Sequence, residues 1–216
     1  MGKRAVTLAL CLCLPLVGCT RVIDSPPPSA GPPVAPITAG QIEDLLSEDA
    51  QKGDDGNLFT TVDPADCAGV AKEVDAPFVF DAEPAAHSGG HFEADAGGRV
   101  VYVEEIVAVY RADFDARARI TDVDGTLSSC RGTPLTITAM DGGSYVFRMS
   151  QAQESPAPEI LLWSFTADSW ACDNAFVAAY NAAIEITTCS EVNGYDVSTL
   201  ADEALKRIDK LANTTL

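Results

Sequence analysis

Basic side chains are scarce in this sequence. The 216 residues carry 14 Lys and Arg against 32 Asp and Glu, a formal net charge of −18, with two His. A surface of that sign repels phosphate backbones and anionic headgroups, so nucleic acid is not an expected partner. A full membrane span is lacking at the amino terminus, where the apolar run Ala5 to Val17 is thirteen residues long and a finished spanning helix needs about 20. Catalytic signatures are also missing: there is no Gly-x-Ser-x-Gly, P-loop or His-Glu-x-x-His, so nucleophilic, nucleotide and zincin chemistry have no positive support. No Cys-x-x-Cys occurs and neither His stands at ligand spacing from a Cys, which disfavours a zinc site. With 47% apolar residues and scattered acids, the chain is still too hydrophobic for a disordered acidic tail.

What is present first is an address. Met1-Gly2-Lys3-Arg4 is a basic n-region, and the apolar run behind it has the length of a secretory h-region. It ends in Leu16-Val17-Gly18-Cys19, which resembles a bacterial lipobox. Residues 1–18 are thus expected to be a lipoprotein signal peptide, with Cys19 the lipidated first residue and the membrane its partner through that anchor. One acyl chain gives marginal anchoring at about 0.8 kcal/mol per buried methylene, so the two or three chains of a lipoprotein matter. Loss of the leader removes Lys3 and Arg4 and leaves 12 basic against 32 acidic residues, a net charge of −20. Residues 19–36 then form a linker in which Ser25 to Pro36 is half proline. That density favours polyproline II, a semi-rigid spacer. The expected location is the extracytoplasmic face of the cell membrane.

Residues 37–216 fit one domain. Ala39 to Ala50 reads as an amphipathic helix with Ile42, Leu45 and Leu46 on one side. Val100 to Tyr110 is strand-like, and Ala112 to about Thr121 has the apolar spacing of a helix. Pro134 to Ala139 and Ser144 to Ser150 flank Asp141-Gly142-Gly143, a hairpin signal. Glu159 to Thr166 and Ala175 to Thr188 are β-rich, the second read as one long or bent strand. Ser198 to Ala212 closes the chain as a helix capped by Ser198, with Leu200, Ala204, Leu205, Ile208 and Leu211 on its buried side. The fold class is α+β, a single domain with an antiparallel sheet packed with helices, because strands joined by short turns cannot be parallel.

Once Cys11, Cys13 and Cys19 are set aside, four thiols remain, Cys67, Cys130, Cys172 and Cys189. An even number outside the cytoplasm implies two disulfides, with three pairings open. Asp122-Val123-Asp124-Gly125-Thr126 spells the nucleophile loop of haloacid-dehalogenase-type phosphatases. Yet Arg117 and Arg119 precede it where a buried strand is needed, and the only later lysines, Lys206 and Lys210, lie in the closing helix. The motif therefore reads as a helix end and turn, with Gly125 giving backbone freedom. His87, His91, Glu93 and Asp95 suit Zn²⁺, Cu²⁺ or proton sensing by residue type. Gly89-Gly90 between them argues for a flexible loop without ligand geometry, so no metal is expected. Asp54-Asp55-Gly56-Asn57 hints at a calcium loop but lacks the alternating oxygens and the closing Glu.

Several of these pieces form a pattern: Asp63-Pro64-Ala65-Asp66-Cys67, the strand-to-helix passage ending at Cys130, Trp170-Ala171-Cys172, Tyr180-Asn181, Ile186-Thr187-Thr188-Cys189 and the closing helix. Over residues 38 to 213 they resemble the PknH-like extracellular sensor domain, the external part of certain actinobacterial serine/threonine kinases and also found as free-standing lipoproteins. The resemblance implies one antiparallel sheet with helices, a cleft for an unidentified ligand, and bridges Cys67–Cys130 and Cys172–Cys189. On a loop-entropy model those bridges contribute about 4 and 3 kcal/mol. One departure is Leu127, where the family often has a Trp. The expected function is a non-catalytic, lipid-anchored binding or sensor domain without cofactor, for a small envelope molecule or partner protein. The alternative is an envelope hydrolase using Asp122 and Asp124.

Overall fold

The computed structural model describes residues 36–52, 59–140, 142–150 and 153–214, all within one compact unit. The leader, Cys19, the linker up to residue 35 and Asp54 to Asn57 lie outside the described residues. A 3-10 turn, Ala39–Leu45, leads to β1 (Gln51–Lys52) and β2 (Phe59–Asp63). A second 3-10 turn, Ala65–Val70, precedes the one-turn helix α1 (Pro77–Phe80), the long strands β3 (Ala86–Asp95) and β4 (Val100–Val109), and helix α2 (Ala116–Cys130). Then come β5 (Leu135–Ala139), β6 (Ser144–Met149), β7 (Ile160–Thr166), β8 (Ala171–Ala179), β9 (Ala182–Ser190) and helix α3 (Val197–Thr214). The strands form one antiparallel sheet in the order β1-β3-β4-β9-β8-β7-β6-β5-β2.

β8 and β9 sit mid-sheet and every residue in both is buried, because each face of the sheet carries its own helical layer. On one face α3 and the first 3-10 turn cover Val101, Val107, Ile184 and Ile186 with Ala201, Ala204 and Ile208. On the other, α2, α1 and the second 3-10 turn cover Phe147, Phe165, Phe176 and Trp163 with Phe78 and Leu127. The Trp163 ring N–H donates to the Val70 carbonyl at 2.9 Å, which satisfies its one polar atom inside this core. Cys67 is bonded to Cys130, tying the second 3-10 turn to the end of α2, and Cys172 is bonded to its cross-strand neighbour Cys189. Among the described residues no helix is long and apolar enough to cross a membrane.

Several local expectations are corrected. The first helix is a 3-10 turn ending at Leu45, since the Ser47 N–H is drawn to the Glu105 carboxylate at 2.8 Å. Residues 175–188 are the halves of a hairpin, β8 and β9, reversed at Tyr180-Asn181, where Tyr180 takes φ +52°. Helix α2 begins at Ala116, capped by the Asp115 carboxylate accepting from Ala118 N–H at 3.0 Å, and runs through Gly125 to Cys130. The cap of α3 is Asp196, which accepts from Thr199 N–H at 3.1 Å, in place of Ser198. Residues 87–95 are strand β3, in unbroken register with β4.

Two acids are buried in adjacent strands and have opposite surroundings. Glu105, on the α3 face, is fully buried and takes Arg207 at 3.2 Å; Arg207 also donates to the Leu45 carbonyl at 2.8 Å. The end of the first 3-10 turn and α3 are thereby both fastened to β4. Glu185 faces α2, and its carboxyl is held well above the usual carboxylate range, chiefly by burial; Arg119 pulls it down and Glu73 pushes it up. Removing one member of a buried pair leaves the other charge uncompensated, at a cost of about 3 kcal/mol or more. Glu105→Ala in the full chain is therefore expected to lose about 3 kcal/mol in urea unfolding followed by circular dichroism; a loss below about 1 kcal/mol would contradict this pairing. For Glu185 the sign is reversed relative to a paired acid. Its folded form holds its proton longer than the unfolded form, so its contribution is full below the ordinary carboxylate range and is lost as pH rises toward the folded value. Between about pH 5 and about pH 8, Glu185→Gln should lose less stability than the parent chain; equal slopes would show that Glu185 does not titrate this way.

Candidate ligand-binding cleft

Strand pairing assembles the cleft. Directly opposite residues share a face of the sheet, so the register His91↔Glu104↔Thr187 lays one polar row across β3, β4 and β9. Gln51, paired with His91, extends it onto β1. The next row on that face is Glu93↔Tyr102↔Cys189, continued by Cys172. Glu73, from the segment after the second 3-10 turn, closes over the rows and is buried. All of these except Cys172 line a cavity of about 710 Å³. Phe92, Ala94 and Val103 also line it from the opposite face, so the cavity wraps the β3 edge.

A smaller hollow of about 270 Å³ lies beside it, lined by Phe59, Tyr145, Phe147 and Trp170. The two meet where the rings of Tyr102 and Trp170 stand 6.0 Å apart at 33°. Among the described residues no Lys or Arg lines either hollow, while Asp49, Glu73, Glu93 and Glu104 line the larger one. Farther along the α2 face, the buried Tyr110 hydroxyl donates to the Val79 carbonyl at 2.8 Å, and burial raises its pKa.

The residues singled out by sequence are only partly brought together. His87, His91, Glu93 and Asp95 share one face because they are odd-numbered along β3, but a strand advances about 3.3 Å per residue. His87 packs edge-on against Phe80, with ring centres 4.9 Å apart, in a separate hollow. Asp95 accepts from Gly97 and Gly98 N–H at 3.1 and 3.2 Å, where φ values of +73° and +86° suit only glycine. Among the described residues no three His, Cys, Asp or Glu side chains are placed to hold a metal ion. Asp122 and Asp124 lie exposed in mid-helix, away from this cleft. Gln51, Glu73, Tyr102, Glu104 and Thr187 are cleft residues that sequence reasoning did not find. The available signal was Tyr102 and Glu104 inside an otherwise Val-rich strand.

Comparison with known proteins places this architecture. The crystal structure of the extracellular domain of PknH from Mycobacterium tuberculosis is similar over 82% of this chain and 98% of that one, with a TM-score of 0.62 and 19% identity, a likeness of fold. A putative uncharacterized protein from Mycobacterium smegmatis aligns over 84% of this chain and 98% of that one at 12% identity, with a TM-score of 0.35. No curated protein matches the chain. Residues 27–207 match the family model of the PknH-like extracellular domain, most of the sequence and all of the cleft, and the chain belongs to that family.

Proposed function

We propose that this chain is a non-catalytic extracytoplasmic binding module, held at the membrane by lipid on Cys19, whose cleft takes a small cell-envelope molecule or partner protein. The observation that carries this reading is the cavity of about 710 Å³ built by cross-strand rows from β1, β3, β4 and β9 beneath Glu73. A concave site with a few convergent polar groups on a rigid sheet is the usual form of a small-ligand site. Two disulfides suit an oxidising compartment, and the family is one of extracellular domains. The hydrolase alternative draws little from the geometry: two residues apart on a helix means about 200° around its axis, so Asp122 and Asp124 point away from each other. Nothing in the binding reading requires a cofactor.

Two measurements test it. Cys19→Ser should move the chain from the detergent phase of the cell envelope to the aqueous phase, and a chain that stays behind would end the lipid-anchor proposal. Native mass spectrometry of the full chain isolated from its own envelope should find a co-purifying molecule. Mg²⁺-dependent phosphatase turnover abolished by Asp122→Asn would replace the binding reading with the hydrolase.

A further inference from the structure

Three aromatic rings lie open along this face. Tyr102 is 45% exposed, Tyr145 is 42% exposed, and Trp170 is half-buried beside Tyr102. Tyr145 stands opposite the core residue Ile137, which fixes its ring to the same face as the cleft. From Glu93 on β3 to Tyr145 on β6 the surface crosses five inter-strand steps, about 24 Å at the usual spacing. Aromatic rings line this face toward β6, and carboxylate, amide and imidazole groups line it toward β3.

We propose, resting on the binding reading above, that the cleft and the aromatic hollow form one continuous subsite series for an oligosaccharide that is neutral or carries amines. A pyranose presents a face of C–H groups that packs on an aromatic ring, while its rim of hydroxyls needs strong acceptors. Tyr102, Trp170 and Tyr145 supply the rings. Glu93 and Gln51, both exposed, supply the acceptors. A nucleic acid also stacks on aromatic rings, but its phosphates would face the carboxylates of the larger hollow with no Lys or Arg lining it among the described residues. Uronic-acid and phosphate-bearing glycans are turned away for the same reason. An amino sugar gains twice, by ion pairing and by cation–π contact with Tyr102 or Trp170.

The test uses the full chain in detergent and the emission of Trp170, since the other tryptophan, Trp163, is buried. Cello-, manno- and chito-oligosaccharide hexamers, de-N-acetylated chitohexaose and hexagalacturonate are titrated in parallel. At least one neutral or amine-bearing oligomer should shift the emission and bind at least tenfold more tightly than hexagalacturonate. Tyr102→Ala and Tyr145→Ala should each weaken that binding about tenfold while leaving the urea midpoint unchanged, as exposed rings permit. Equal binding of hexagalacturonate, or full affinity in both Ala variants, overturns the proposal. If native mass spectrometry identifies a non-carbohydrate ligand and no oligomer binds, the glycan assignment falls and the binding module stands. If neither experiment finds a ligand, both fall.

Discussion

The central hairpin, β8 with β9, is buried on both faces, and the rest of the molecule follows from that constraint. On a strand exposed on neither side an unpaired polar group is costly. Asp173 is accordingly enclosed by Ser164, the Asn193 amide at 3.0 Å and the Gly194 N–H at 2.7 Å, and the loop that leads into α3 is shaped around it. Thr188 donates to the Asp173 carbonyl at 2.7 Å. Covering both faces also demands two helical layers, and alanines along α3 at 201, 204 and 212 let that helix lie close to the sheet. The cleft forms where this cover runs out, toward β3 and the far end of β4.

How much of this was written legibly depends on whether a feature is local. The β5–β6 hairpin could be read because Asp141-Gly142-Gly143 punctuates two apolar runs, and the closing helix could be read from its periodicity and length. The β8–β9 reversal could not, because Tyr180-Asn181 contains neither Gly nor Pro and the residues on both sides are equally apolar. What permits the turn is tertiary: Asn181 is fully employed by Ile37 and Tyr110. Gly89-Gly90 misled in the other direction. Gly90 is a strand residue, and a β-carbon there would stand 2.9 Å from that of Ala50, so its meaning is close approach of a neighbouring segment rather than looseness.

The same limit governs the site. Rows such as His91, Glu104 and Thr187 exist only once three strands far apart in sequence have found their register. Sequence singled out His91 in one row and Glu93, Cys189 and Cys172 in the other, but not Glu104 and Tyr102 between them. The phosphatase-like spelling at 122–126 shows the complementary error. Five residues that suit a catalytic loop in one setting extend a helix in another, because Asp115 starts α2 early and Val123, Leu127 and Cys130 give it a face to bury.

Asn181 also has a mechanical meaning. Its side chain accepts the Ile37 N–H at 3.1 Å and donates to the Ile37 carbonyl at 2.9 Å. One side chain thereby joins the segment at Ile37 to the tip of the innermost hairpin and, through the Tyr110 carbonyl at 2.9 Å, to the end of β4. Three backbone segments far apart in sequence therefore share one amide as their common joint.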